Sequence, residues 1–213
     1  MQQPTEEERE EEPPLLDAPP EMDAYTLFVV GFFFEIGLVL IAAIVGWIFV
    51  SEPFPFELRY DLEALKWGVG ATIPWAVAAV LLTSRSGRRV GFVGRIYDQL
   101  KRMLGRGIRD LRLEEIIILA AAAGIGEEVL FRGVLQGLVG IWITSLIFGV
   151  LHALTPAYFI LATAIGLYLG FLQDYTGNLL VPITVHWLYD CVALILLRKE
   201  LRRDLPPTVV ETV

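Results

Sequence analysis

Unbroken apolar runs of membrane length recur through this chain, and no other feature constrains its fold as strongly. Tyr25–Val50 and Leu62–Leu82 each suffice to cross a hydrocarbon core, which is about 30 Å thick and takes about 20 helical residues. From Ile116 to Leu197 the hydrophobicity hardly pauses, and turn-forming residues must divide it. Gly137–Gly140, "TPAY" at 155–158 and "DYTGN" at 174–178 supply three breaks. They predict helices over about 114–137, 140–154, 157–173 and 179–197, six in all with the first two. Pro74 predicts a kink in the second helix, tolerated where neighbours satisfy the freed carbonyl. Hydrophobic residues make up 55% of the 213 and charged residues 20%, so lipid is the solvent for most of the chain. The expected fold class is all-α, a multi-pass transmembrane helical bundle.

The net charge of -8 is a local property. Glu6, Glu7, Glu8, Glu10, Glu11, Glu12, Asp17, Glu21 and Asp23 face Arg9 alone in residues 1–23, and the rest of the chain is neutral. That acidic, proline-rich stretch reads as a disordered tail, and a globally acidic balance gives no reason to expect a nucleic-acid partner. The first apolar run follows an acidic segment and is too long for a signal-peptide core, so it is expected to remain as an anchor. Cys191 is the single cysteine, which excludes an intrachain disulfide. Residues 24–83 read as two N-terminal spans, 84–112 as a basic segment, 113–197 as a helical core and 198–213 as a C-terminal tail.

The segment "SRSGRRVGFVGRIYDQLKRMLGRGIRDLR" at 84–112 brings Phe92, Val93, Ile96, Leu100, Met103 and Leu104 roughly onto one helical face. Two readings stay open: an interfacial helix on an anionic leaflet, or a plain loop. Basic residues cluster here and at Arg198, Lys199, Arg202 and Arg203, with only Arg59 and Lys66 opposite in a six-span chain. The positive-inside rule then makes both termini cytoplasmic.

Polar residues at membrane depth are few. In "GEEVLFRG", Glu128 and Arg132 are i,i+4 partners with the acid first, the favourable order for an ion pair. Glu127 is rotated about 100° away and has no partner in its own helix. The chain's two histidines are His152, four residues after Phe148, and His186, four before Asp190. At about 1.5 Å per residue, Glu127, His152 and His186 all fall near the middle third of the bilayer. Each histidine alone also fits a helix-bridging hydrogen bond, and the Glu128–Arg132 pair fits a structural role. An unpartnered intramembrane acid such as Glu127 is a functional candidate by default. Glu35, in "FFFEIG", faces the same cavity or lies near an interface; Asp174 and Asn178 read as turn formers.

These residues resemble the CAAX protease and bacteriocin-processing family, also called Abi or type II CAAX prenyl endopeptidase-like. "GEEVLFRG" is similar to its EExxxR motif, "FGVLH" to its FxxxH motif, and "HWLYD" to its third motif of His followed four residues later by Asn or Asp. Asp190 stands where the eukaryotic enzymes of the family carry Asn. The resemblance covers residues 114–197 and implies an intramembrane endopeptidase, prokaryotic and in the plasma membrane, acting on a peptide or membrane-protein substrate amid membrane lipid. It implies Glu127, Glu128, Arg132, His152, His186 and Asp190 as the catalytic set. Glu127 then deprotonates water, His152 positions it, and His186 with Asp190 stabilises the oxyanion or holds a metal, while Glu128 and Arg132 orient the helix. The resemblance implies a metalloprotease but also admits a glutamate-activated water without an ion. Zinc is the candidate ion, with His152, His186, Glu127 and Asp190 as ligands, and the acid at 190 tilts the choice toward it. Ser145, the only serine in the last four helices, carries no mark of activation. The rival readings are a proton-coupled carrier, which proton-driven uptake would reveal, and a scaffold or immunity protein, which would bind a partner without cleaving it.

Overall fold

The computed structural model describes residues 22–204. Expectations about the acidic tail at 1–21 and the stretch 205–213 lie outside the described residues. Within them the chain is helical throughout, as a membrane-embedded backbone without water partners requires. The order is α1 (Ala24–Val50), α2 (Leu62–Thr83), the single turn α3 (Arg85–Arg88), α4 (Gly91–Asp110) and α5 (Leu113–Glu128). A π-helical segment (Val129–Leu135) follows, then α6 (Gln136–Leu151), α7 (Pro156–Thr176) and α8 (Leu180–Asp204). Five helical stretches are long and apolar enough to cross a membrane: α1, α2, the continuous Leu113–Leu151, α7 and α8.

The 39-residue stretch Leu113–Leu151 does not run straight. Gly140 has φ 79° and ψ 163°, a conformation open to glycine and strained for other residues. The chain reverses there, so α6 folds back along α7: Ser145 packs on Gly166, and Gly149 on Thr163. The break expected at Gly137–Gly140 is thus found at its last residue.

Close approach of small residues holds the helices together, since apolar burial drives little association in lipid. Gly68 of α2 meets Thr184 of α8, and Gly124 of α5 meets the backbone of Ile183 and Trp187. The helix α1 is inverted relative to a water-soluble one. Phe33, Phe34, Trp47 and Ile48 face outward, and the residues it buries are Glu35, Ala42 and Gly46.

The start of α1 and the end of α8 lie on one face, against α4. Leu27, Tyr97, Ile108, Leu197 and Leu201 form one apolar cluster there. Arg88 adds ion pairs to Glu200 at 2.8 Å and Asp204 at 2.9 Å. On the opposite face Asn178 clamps the α1–α2 connection. Its Oδ1 accepts from Arg59 N at 3.0 Å, and its Nδ2 donates to Arg59 O at 2.9 Å. The described ends of the chain therefore share a face, as the six-helix reading requires.

Four local expectations need correction. Residues 91–110 form a helix rather than a plain loop, but Val93, Ile96, Tyr97 and Ile108 of its apolar face are buried against the protein; Phe92 and Met103 remain exposed. Arg198, Lys199, Arg202 and Arg203 belong to α8, because Glu200 and Asp204 pair with bases and extend the helix beyond the membrane segment. Asp23 is not tail: its carboxylate accepts from Thr26 N at 2.8 Å and caps α1. Asp174 lies within α7, where its carboxylate accepts from Gln136 Nε2 at 2.6 Å.

Candidate active site

The six residues singled out from the sequence come together, supplied by α5, the π-helical segment, the end of α6, and α8. Glu127 and Glu128 close α5, and the wider π-helical turns begin at the next residue. Such π segments inside helices are frequent at functional sites. Arg132 Nη1 donates to Glu128 Oε1 at 2.9 Å, so the i,i+4 pair forms across the change of helix type. Its Nη2 donates to the Gly166 carbonyl of α7 at 3.0 Å. The guanidinium also lies 4.7 Å from the centre of the Phe148 ring, which holds it from the remaining side. Glu128 and Arg132 are buried throughout.

His186 reaches this pair from α8. Its Nδ1 lies 2.7 Å from Glu128 Oε1, and the ring stacks on Tyr189 at 4.9 Å. Glu128, expected to orient its helix together with Arg132, also holds the His186 imidazole. A contact between residues 58 apart gives no signal in the spacing of either motif.

His152 lies just past the last turn of α6, not inside a helix as the sequence suggested. Pro156 starts the next helix, and the connection leaves His152 at a chain reversal. Its Nδ1 lies 2.8 Å from the Phe148 carbonyl, and the two rings stack at 4.4 Å. A carbonyl only accepts, so Nδ1 carries the proton and Nε2 of the neutral ring carries the lone pair.

Both Nε2 atoms turn toward Glu127. His152 Nε2 lies 3.6 Å from Glu127 Oε1, and His186 Nε2 lies 3.8 Å from Oε2. His186 Nε2 is also 3.6 Å from Asp190 Oδ2, the i,i+4 relation expected along α8. These separations exceed direct hydrogen bonds and suit groups that share an inserted water or proton. The donor types suit zinc, and each imidazole is anchored through Nδ1 in the way metal-bound histidines are. The arrangement itself does not: among the described residues no group of three or more His, Cys, Asp or Glu is placed to hold a metal ion.

Glu35, which the sequence alone allows in either of two environments, lies inside the protein. It is 8% exposed and packs against Gly126, beside Glu127. An apolar cavity of about 290 Å³ opens between α2, α4, α7 and α8. Trp75, Val93, Leu104 and Ile165 line it, and Tyr158, Tyr189 and Asp190 bring it to the polar cluster. Ser145 is buried against Gly166.

The arrangement offers a buried carboxylate, two oriented imidazoles and a second acid, at the end of an apolar cavity. The family described as type II CAAX prenyl endopeptidase Rce1-like matches residues 111–192, which contain the whole cluster except Glu35. Over 176 residues the chain is 32% identical to the uncharacterized protein YpbD of Bacillus subtilis (strain 168), covering 78% of this chain and 89% of that protein. No solved structure matches. With the matched segment, the motifs and a relative aligned over most of both chains, this chain belongs to the type II CAAX prenyl endopeptidase Rce1-like family.

Proposed function

We propose that the chain is an intramembrane endopeptidase that hydrolyses a peptide bond of a membrane-associated substrate with a water activated by Glu127. The observation that carries this reading is the pair of imidazoles, each tied down through Nδ1, with both Nε2 atoms 3.6–3.8 Å from one buried carboxylate. Preorganised groups of this kind lower a barrier because they need no rearrangement as charge develops.

Glu127 takes a proton from water, and the resulting hydroxide attacks the scissile carbonyl carbon. His152 Nε2 accepts a hydrogen bond from that water and aims its lone pair. General-base catalysis of this sort contributes about 10²–10⁴-fold. His186, doubly protonated between Glu128 and Asp190, presents Nε2–H to the oxyanion, worth about 10²–10³-fold. Glu127 then passes its proton to the leaving amine. Arg132 keeps Glu128 in place, so that Glu128 can hold His186. Zinc would be the alternative activator: His152, His186, Glu127 and Asp190 would hold it only by drawing closer than they stand here, and it would supply an activated water.

The protein acts in the plasma membrane of a prokaryote. Its basic segments at 85–112 and 198–203 are cytoplasmic, and so are both termini. The substrate reaches the cluster from within the bilayer, as the apolar cavity that ends at Asp190 allows. Mapping new N-termini in membranes from cells expressing the chain, against cells expressing Glu127→Gln, tests this. Cleavage products confined to the unmutated chain support an endopeptidase. Identical termini in both would refute it.

A further inference from the structure

Glu35 is the one acid of this cluster that no motif accounts for, and it lies outside the segment that matches the family. The helix carrying it turns Phe33 and Phe34 to lipid and Glu35 to the protein. A carboxylate kept there costs several kcal/mol unless something compensates it. The simplest compensation, a hydrogen bond tying α1 to its neighbours, is not made: Glu35 Oε2 is buried and has no hydrogen-bond partner among the described residues. Glu127 Oε2 is in the same condition. Glu35 packs against Gly126, the residue that precedes Glu127 in the chain. A Cβ at Gly126 would lie 2.6 Å from Glu35 O and 2.8 Å from Glu35 Oε2, so glycine is what lets this carboxyl come so near.

We propose that Glu35 is a water-positioning residue of the reaction centre, holding together with Glu127 the water that attacks the substrate. This rests on the endopeptidase reading and deepens it. Two buried acceptor oxygens without direct partners, one on Glu127 and one packed against the residue before it, are the polar partners a buried water needs. Glu127 takes one hydrogen of the water, and Glu35 Oε2 shares the second with His152 Nε2, which fixes where the oxygen lone pair points. Without Glu35 that second hydrogen would rest on His152 alone. A helix outside the motif-bearing core thereby contributes to the geometry of attack.

The test compares the full chain with Glu35→Leu, Glu35→Gln and Glu127→Gln in proteoliposomes of phosphatidylethanolamine and phosphatidylglycerol, using a quenched-fluorescent peptide library. Misplacing a reacting group by about 1 Å costs on the order of 100-fold. Glu35→Leu should therefore lower kcat by about 100-fold with KM within about twofold. Glu35→Gln keeps an acceptor oxygen and should recover to within about tenfold of the unmutated chain, which lost packing alone would not produce. Infrared spectroscopy adds a readout free of activity. The Glu127 carboxyl band, assigned by its loss in Glu127→Gln, should shift in Glu35→Leu. Should Glu35→Leu fail to accumulate in membranes, Glu35→Asp, one methylene shorter, gives the same two readouts. An inactive Glu127→Gln beside a Glu35→Leu with unchanged kcat, KM and band overturns this inference alone. A fully active Glu127→Gln overturns the endopeptidase site, and the inference with it.

Discussion

Replacing Arg132 by alanine should unfold the centre before it impairs any chemistry. The side chain makes one bond to Glu128 Oε1 at 2.9 Å, one to the Gly166 carbonyl at 3.0 Å, and a cation–π contact with Phe148. Interhelical hydrogen bonds in membranes average about 0.6 kcal/mol and reach about 1.7, so the Gly166 bond is a minor part. The larger effect falls on Glu128, which is completely buried and already has one carboxyl oxygen without a partner. Removing one member of a buried ion pair costs about 3–5 kcal/mol, because the other charge stays uncompensated. His186 offsets part of this through its 2.7 Å bond to the same oxygen. The expected loss for Arg132→Ala is therefore about 3 kcal/mol, the lower end of that range. The double variant Arg132→Met with Glu128→Gln removes both charges, keeps an acceptor for His186, and should recover more than half of the loss. Reversible unfolding in mixed micelles, followed by tryptophan fluorescence, gives all three stabilities. A double variant as unstable as Arg132→Ala would refute the charge argument and leave lost packing as the cause.

Further outcomes follow from the same structure. Gly140→Ala meets no neighbouring atom, so its cost is purely backbone, about 1–3 kcal/mol, measurable in the same unfolding assay. Asn178→Ala loses two bonds to Arg59 and one from Leu180 N, and should admit protease to the α1–α2 connection; unchanged proteolysis would count against the clamp. A cysteine at Arg95 should react with an impermeant probe only from the cytoplasmic side, and reaction only from outside would contradict the proposed orientation. Metal analysis of the purified chain separates the two water-activating readings: full activity at well below one metal per chain excludes zinc.

Much of the fold was legible because each span states itself locally. Apolar length marked α1, α2, α7 and α8, and turn residues marked their ends to within a few positions, apart from the polar extension of α8. The reversal at Gly140 was also readable, since only glycine adopts that backbone without strain. Relations between helices were not. Spacing put Glu128 beside Arg132 and His186 beside Asp190 because i,i+4 partners share a helix. It could not show that Glu128 holds His186, nor that Glu35 turns inward, because both depend on how separate helices are rotated. The π-helical segment was invisible for a related reason: "VLFRGVL" is as good an α-helical sequence as its flanks. The apolar face of α4 is legible in its spacing, but whether protein or lipid covers it is decided by α8, at the far end of the described chain.

The central claim is that Glu127 activates the water that cleaves a peptide bond, and cleavage by purified protein tests it most directly. The unmutated chain and Glu127→Gln are reconstituted side by side, shown to have the same helical content, and offered the same peptide library. Amide for carboxylate changes the volume little but removes the base. The account predicts that Glu127→Gln falls by at least about 100-fold, the lower end of what a general base contributes. Full cleavage by the folded Glu127→Gln protein would contradict it.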